Sequence, residues 1–111
     1  EAALAQAKAE NKPIMLDFTA DWCAACKELE HFTYTDPKVI AESKKMVTLM
    51  IDATKGDDPV VKGLLEKYNV KGLPTVHFLR PDGTVIEGNT VTGFLNAEQF
   101  LPYMNKALQG E

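Results

Sequence analysis

The residues of this sequence best suited to chemistry are two cysteines separated by two alanines. Cys23 and Cys26 are its only cysteines, and they lie where an apolar run gives way to a helical pattern. An exposed first cysteine at a helix N-terminus is favoured as the thiolate, because the helix dipole stabilises an anion there by roughly 0.3–2 kcal/mol. A second cysteine one turn inside can resolve a mixed disulfide. The pair predicts a redox-active disulfide, with Cys23 as nucleophile and Cys26 as resolving cysteine.

Two other interpretations of the cysteine pair are weaker. A structural bond across four residues would stabilise the fold by only roughly 2 kcal/mol, against about 4.7 kcal/mol for a hundred-residue loop. A structural zinc site needs four ligands, and neither His31 nor His77 has ligand spacing to the pair. We therefore expect no metal and no bound cofactor, the redox centre being the Cys23–Cys26 disulfide itself.

Two acidic residues near the cysteines are candidates for proton transfer and for tuning the thiols. Asp17 lies within the apolar run 14–18, where an unpaired buried charge is costly. We expect it beneath the disulfide, exchanging protons with the thiols; the alternative is a strand residue that faces solvent or caps a turn. Glu30 is four residues beyond Cys26, so a helix would place both on one side. The alternative for Glu30 is a solvated helix carboxylate.

The pattern of apolar residues predicts four strands. They are expected at residues 14–18, 46–52, 75–79 and 84–91. The early strands are separated by helices and should pair in parallel, whereas a tight turn at Asp82-Gly83 adds an antiparallel edge. The predicted class is α/β, a small mixed sheet with helices on both faces.

Five helices are predicted between and around these strands. They are expected over residues 2–10 and 22–32, and from the starts at Asp36-Pro37, Asp58-Pro59 and Asn96. Pro102 lies inside the last of them. Because an interior proline costs about 3 kcal/mol, we expect that helix to bend or to start late.

Length and composition limit the classes of protein to which the chain can belong. Its 111 residues have the size of one domain, so 1–111 is predicted to be a single domain. A hydrophobic fraction of 45% and a net charge of −4 indicate a globular chain without the basic patch that nucleic acid requires. No window approaches the eighteen or so apolar residues of a membrane span. Because the chain begins with Glu1, we expect a processed or excised piece of a longer protein.

A second motif, residues 72–75 (GLPT), precedes a predicted strand. Proline is ordinary at the first residue of a strand, so on its own the motif predicts nothing more. A cis Leu73–Pro74 bond would instead expose backbone polar groups beside the disulfide, where a partner's chain could pair with them. Trp22 is open to interpretation as a core residue, and His31 and His77 are expected to have no special role.

The sequence resembles thioredoxin over nearly the whole chain. Three motifs carry the resemblance and occur in the same order: residues 17–27 (DFTADWCAACK), residues 72–75 (GLPT) and Gly93. The resemblance implies a thioredoxin fold, a buried acid at Asp17 and a cis-proline at Pro74. It also implies a substrate groove that includes Trp22, Leu73, Pro74, Thr75 and Gly93.

The sequence departs from thioredoxin around the cysteines. Thioredoxin carries Gly-Pro between its cysteines, where this chain has Ala24-Ala25, so thioredoxin's reduction potential is not carried over. Residues 27–30 (KELE) and 33–39 (TYTDPKV) are similar instead to the C-terminal periplasmic domain of the DsbD family of bacterial thiol:disulfide interchange proteins.

The DsbD resemblance implies an electron relay in the periplasm, as a domain of an inner-membrane protein. Such a domain is reduced by the membrane-embedded cysteine pair of the same protein and then reduces its N-terminal periplasmic domain. We expect a monomer that makes brief contacts. Two alternatives are a free-standing thioredoxin-like reductase or oxidant of broad substrate range, and a redox-inert peptide-binding module.

The two acids also predict how Cys23 is charged in the reduced protein. A charge about 6 Å from the thiolate costs roughly 2.8 kcal/mol at an effective dielectric of about 20, more than the helix dipole provides. Cys23 is therefore expected to be mostly a thiol at neutral pH, until a docking partner changes the field. The ultraviolet absorbance of the thiolate should appear at lower pH in Asp17→Asn and in Glu30→Gln. An unchanged titration in both variants would contradict this prediction.

Overall fold

The computed structural model describes residues 2–110, and their helices pack against one sheet. The elements follow the order α1 (Ala2–Glu10), β1 (Ile14–Thr19), α2 (Ala24–Glu28), a π-helical turn (Leu29–Thr33), α3 (Pro37–Ser43), β2 (Val47–Asp52), α4 (Pro59–Lys67), β3 (Thr75–Leu79), β4 (Val91–Thr92) and α5 (Ala97–Leu108). Within these residues, no helix is both long and apolar enough to cross a membrane.

The central strand of the sheet is β1. The strand order is β2-β1-β3-β4, with β1 parallel to β2 and antiparallel to β3, which pairs antiparallel with the two-residue β4. All six residues of β1 are buried, as expected of an apolar run with a strand on each side and helices above and below. The predicted mixed sheet is confirmed, and β1 and β2 pair in parallel as expected. The third strand follows a helix but is antiparallel to β1, so parallel pairing was wrong for that strand.

Helices cover both faces of this sheet. Successive side chains of β1 point to opposite faces, and they belong to two separate apolar clusters. Met15 packs in a cluster with residues of α3 and α5, and Phe18 packs in a second cluster with residues of α1 and α4. By this alternation Asp17 shares the face of Met15, which is the face covered by α3 and α5.

The two predicted Asp-Pro helix starts are confirmed. Asp36 is the N-cap of α3, and its side chain accepts hydrogen bonds from the backbone N–H groups of the first turn. Asp58 caps α4 in the same way. In each case proline occupies the first helical position, where its missing N–H costs nothing.

The strand predicted at residues 84–91 is wrong for most of its length. Val85 forms only an isolated bridge to β3, and the fourth strand is confined to β4. Between them the chain turns at Gly88 (φ +75°), a left-handed conformation that interrupts an extended ladder. The buried Asn89 side chain then donates a hydrogen bond of 3.0 Å to a carbonyl of α5. This segment is therefore held to β3 at its start, where the Ile86 N–H donates to the Phe78 carbonyl at 2.8 Å, and to α5 at Asn89.

The last helix starts earlier than the proline suggested. α5 begins directly after Asn96 and passes through Pro102. A capping box fixes its start, since the Asn96 and Gln99 side chains each accept a hydrogen bond from the other's backbone N–H, at 2.9 and 3.1 Å. Pro102 lies in the second turn, and its missing N–H deprives only the carbonyl of the exposed Glu98, which water can reach.

Removing this cap is expected to lower the stability of the protein. Asn96→Ala should reduce the free energy of unfolding by about 1 kcal/mol, because it deletes an N-cap side chain. Asn105→Ala is the matched control, since it makes the same change at an exposed position inside α5. Urea unfolding followed by circular dichroism measures both, and equal losses would contradict the role assigned to the cap.

Candidate active site

Cys23 and Cys26 form a disulfide at the start of α2, shortly after the central strand, with their Cα atoms 5.2 Å apart. Cys23 is the N-cap of α2, and its extended backbone (φ −95°, ψ 107°) precedes the first helical residue. Its Sγ accepts a hydrogen bond from the Cys26 N–H at 3.1 Å. The Cys23 sulfur therefore lies where helix N–H groups favour negative charge.

Both cysteines are enclosed in this disulfide form. Cys23 is 6% exposed and Cys26 is 2% exposed, so the expectation of an exposed first thiol is wrong here. The reason is packing, because the two residues form an apolar cluster with Ala20, against which Leu73 also packs. Cys23 is still the more accessible of the two.

The loop before β3 lies against the disulfide. Leu73 packs on the cysteines, and the Leu73–Pro74 peptide bond is cis. The Thr75 hydroxyl donates to the Gly72 carbonyl at 2.7 Å, and the Gly93 N–H donates to the Pro74 carbonyl at 3.2 Å. Leu73, Pro74, Thr75 and Gly93, all predicted as groove residues, thus line one groove.

Trp22 lies on the surface, and 67% of the residue is exposed, so its interpretation as a core residue is wrong. The indole N–H donates to the Thr54 carbonyl at 3.1 Å, and the Asp21 backbone N–H donates to the Thr54 hydroxyl at 2.9 Å. These bonds hold the ring beside Leu73, with which it lines an apolar pocket. An exposed aromatic ring held in this way is suited to contact with another protein.

Asp17 is buried as predicted, with 5% of its surface exposed. Its Oδ2 accepts a hydrogen bond from the Tyr34 hydroxyl at 3.1 Å, whereas its Oδ1 has no hydrogen-bond partner within residues 2–110. Burial raises the pKa of Asp17 to about 6; the Tyr34 hydrogen bond opposes this rise, and the charge of Glu30 adds to it. A carboxyl group with such a pKa can both accept and donate a proton close to neutral pH.

Glu30 and Tyr34 follow Cys26 at successive intervals of four residues. The π-helical turn carries Glu30, and it is closed by a bond of 2.8 Å from the Tyr34 N–H to the carbonyl five residues back. The turn brings the charge of Glu30 close enough to raise the Asp17 pKa, and it brings the Tyr34 hydroxyl to the carboxyl group. Tyr34 was not predicted, because the predicted helix ends at residue 32. The interval of four from Glu30 was the signal that could have found it.

Of the two histidines, only His77 lines the groove beside the cis-proline. The His77 ring bonds to the Thr90 hydroxyl and to the Tyr68 carbonyl, each at 2.9 Å, and His31 is exposed. In the part of the chain that the structure describes, no three His, Cys, Asp or Glu side chains are grouped as metal ligands would be. The groups suited to chemistry are therefore the disulfide and, in the central strand, the buried Asp17 with its neighbours Tyr34 and Glu30.

Replacing the buried acid is expected to stabilise the oxidised protein at neutral pH. Folding raises the pKa of Asp17 from 3.8 to about 6, so the folded state holds this proton more tightly than the unfolded chain does. The favourable contribution of Asp17 is therefore complete below about pH 4 and is lost as the pH rises through about 6. Asp17→Asn should raise the free energy of unfolding by up to about 3 kcal/mol at neutral pH.

The experiment compares urea unfolding of the two oxidised proteins at about pH 3 and about pH 7.5. Oxidised protein is used because disulfide-bonded cysteines do not titrate and so add no pH dependence of their own. The stabilising effect should nearly vanish at the lower pH, where Asp17 is protonated in both states. An effect of equal size at both pH values would contradict the role assigned to burial.

Residues 1–108 of the chain match the thioredoxin-like domain family. The thiol:disulfide interchange protein DsbD of Vibrio vulnificus (strain CMCP6) is 43% identical over 103 residues, which are 93% of this chain and 17% of that protein. DsbD of Pectobacterium atrosepticum is 44% identical over 95 residues, which are 86% of this chain and 16% of that protein. The chain thus spans about one-sixth of the length of these curated relatives.

Solved structures agree with these sequence matches. The oxidised C-terminal domain of DsbD from Neisseria meningitidis superposes with a TM-score of 0.84 at 33% identity, over 96% of this chain and 90% of that one. A thioredoxin from Thermus thermophilus gives 0.80 at 28% identity, over 95% of this chain and 80% of that one. Together with the Cys23–Cys26 disulfide, these likenesses support the predicted enzyme class, thiol–disulfide oxidoreductase. By its fold and by a family match over nearly its whole length, the chain belongs to the thioredoxin-like domain family, in which it is similar to the C-terminal domain of DsbD.

Proposed function

We propose that this chain is a reducing relay of the periplasm, which passes electrons to a partner protein by dithiol–disulfide exchange. One observation carries the proposal: a disulfide at a helix N-terminus in a fold that buries an acid with a pKa of about 6. Similarity to DsbD supports the choice of a relay. In this proposal Cys23, Cys26 and Asp17 are the reacting groups, and Glu30 adjusts the acid.

In the first step, the thiolate of Cys23 attacks one sulfur of the partner's disulfide. A bond forms between the Cys23 sulfur and that sulfur, the partner's own S–S bond breaks, and its other sulfur leaves as a thiolate that takes up a proton. The helix N-terminus supports the attacking thiolate. The Cys26 N–H already points at the Cys23 sulfur in the oxidised form, at 3.1 Å.

In the second step, the carboxylate of Asp17 accepts the proton of the Cys26 thiol. The Cys26 thiolate then attacks the Cys23 sulfur, closes the internal disulfide and releases the partner's remaining thiolate, which takes up a proton. The proton of Cys23 was lost when its thiolate formed, and the proton of Cys26 leaves the relay when Asp17 gives it to solvent. Counted from two thiols, the relay has then lost two electrons and two protons, and the partner has gained two thiols. An upstream dithiol reverses these steps and restores the reduced pair.

The proposed docking surface surrounds the disulfide and consists of Trp22, Leu73, Pro74, Thr75 and Gly93. Pro74 and Thr75 are buried at the start of β3, and the partly exposed Leu73 precedes them, so an extended segment of a partner could pair with the backbone of Leu73. Trp22 offers an aromatic face that is already held by Thr54. A small surface of this kind suits short contacts, which a relay needs in order to release its partner.

The proposed electron donor is a membrane-embedded cysteine pair, and the proposed acceptor is an N-terminal periplasmic domain of the same DsbD-like protein. The support is that the similarity occupies only about one-sixth of the DsbD relatives, whose remaining length can hold such domains. We propose that this part acts as a monomer and meets both neighbours in turn through the docking surface. No nucleic acid is involved, in keeping with a net charge of −4.

The test is the equilibrium reduction potential of the Cys23–Cys26 pair, measured by redox titration with trapping of free thiols. A reducing relay is expected to have a value of roughly −200 to −270 mV. A value near about −120 mV, typical of a strong oxidant, would reverse the proposed direction of flow. If no disulfide forms at any potential, the peptide-binding module replaces the redox function.

The two cysteine variants test the assigned roles. Cys26→Ala keeps the nucleophile, so it should accumulate a mixed disulfide with oxidised glutathione, whereas Cys23→Ala should not. Mass spectrometry of the trapped species distinguishes them. Accumulation in Cys23→Ala alone would exchange the roles, and full function of both variants would favour a pure binding module.

A further inference from the structure

A cavity of about 260 Å³ leads from Asp17 to the surface between α3 and β2. Its walls include Tyr34, Ser43, Thr48 and Met50. Its outer end is open to solvent, because Thr48 is exposed and 51% of Met50 is exposed. Within residues 2–110, neither cysteine nor the cis-proline loop lines it. The cavity therefore opens away from the groove beside the disulfide.

The size and lining of this cavity suit water. Liquid water occupies about 30 Å³ per molecule, so several molecules fit. A water in such a place needs two to four polar partners. The cavity offers the Asp17 carboxyl group and the hydroxyls of Tyr34, Ser43 and Thr48.

The two oxygens of Asp17 have different surroundings. Oδ1 is shielded from solvent and has no hydrogen-bond partner among residues 2–110, whereas Oδ2 accepts from Tyr34, which borders the cavity. The Tyr34 ring is held edge-on against Phe100, with the ring centres 5.7 Å apart. Burial raises the pKa of Tyr34, so its hydroxyl keeps its proton and acts as a fixed donor. Tyr34 thus holds Oδ2 at the edge of the cavity, while Oδ1 is shielded from solvent.

We propose that this cavity is the proton exit of the buried acid and that Tyr34 is the positioning residue that holds Asp17 at its inner end. The proposal rests on the proposed function, in which Asp17 takes a proton from Cys26. A docked partner covers the disulfide during that step, so water cannot reach Asp17 from the groove. The proton then passes from the Asp17 carboxyl group to water in the cavity and reaches solvent beside Met50. When the pair is reduced again, a proton enters by the same route.

Few charges face Asp17 along this route. The π-helical turn contributes the carboxylate of Glu30, and the residue that follows the turn contributes the Tyr34 hydroxyl. In the proposed function, the reduced pair adds the Cys26 thiol. The walls formed by α3 and β2 add no charged side chain among the residues that the structure describes. A proton that enters the cavity therefore meets no second acid or base that would retain it.

Tyr34→Phe tests the positioning role. It keeps the ring and removes a hydrogen bond that favours the carboxylate. The pH at which internal disulfide formation reaches half of its maximal rate should therefore rise by about one pH unit. A carbon-13 NMR titration of the Asp17 carboxyl group in the oxidised protein should show the same rise. Tyr103→Phe is the matched control, since it removes a hydroxyl from α5. A midpoint that does not move, or that moves equally in the control, would overturn the role of Tyr34.

Ser43→Phe tests the route, because the larger side chain fills the cavity from its α3 wall. Ala41→Phe is the matched control, since it adds the same ring at an exposed position of α3 outside the cavity. Two probes carry a disulfide activated with thionitrobenzoate: glutathione, which leaves the groove open, and ubiquitin with one cysteine introduced on its folded surface, which covers it. Release of thionitrobenzoate reports the first step, and release of the probe's thiol reports the second.

Ser43→Phe should slow the second step several-fold with the ubiquitin probe and leave it unchanged with glutathione, while Ala41→Phe should change neither. A loss with both probes, or with neither, would overturn the proton exit. If the unaltered protein releases thionitrobenzoate from neither probe, the proposed function fails and the proton exit fails with it. That result can be told apart from a failure of the proton exit alone, because it is measured as thionitrobenzoate release in the first step of the unaltered protein.

Discussion

The burial of one carboxyl group in the central strand of the sheet is the constraint on which the rest of the site depends. Asp17 lies in a strand whose six residues are all buried, where an ionised group is costly. That cost raises the pKa of Asp17 to about 6, which is what makes it useful as a proton acceptor. The Tyr34 hydroxyl and the Glu30 charge then adjust it in opposite directions. The two apolar clusters and the capped helices must offset the stability that this position loses.

Those parts of the fold that depend on neighbouring residues could be predicted from the sequence. The starts of α3 and α4 follow from an aspartate and a proline side by side, because capping and the fixed φ of proline are local properties. The central strand could likewise be predicted, because it is an apolar run. The strand predicted at residues 84–91 was wrong because contacts with residues distant in sequence decide the conformation of this stretch. Nothing within the stretch shows that Asn89 will bond to α5 or that Gly88 will turn the chain away from β3.

The same division holds at the site. The cysteines and the buried acid can be recognised from residue type and spacing. Two cysteines this close in sequence add little stability as a disulfide, and a carboxylate in a buried strand is costly, so both indicate chemistry. Trp22 was less predictable, because tryptophan is usually well buried and this one is held at the surface by a carbonyl thirty-two residues away. The interval of four from Glu30 points to Tyr34, but the contact of Tyr34 with Asp17 also depends on a π-helical turn, which the sequence does not indicate. Secondary-structure propensity describes single elements, whereas the positions of Trp22 and Tyr34 depend on contacts between elements.

The π-helical turn makes the chemistry of the site sensitive to the hydrogen-bond pattern of one turn. A π-helical turn holds one residue more than the α-helical turn that it replaces. If residues 29–33 kept their number but took up α-helical geometry, the following residues would rotate by about 100° around the helix axis. The Tyr34 hydroxyl would then leave Asp17 while the disulfide stayed in place. Substitutions that favour or disfavour this one turn could therefore change the reactivity of the acid separately from that of the cysteines.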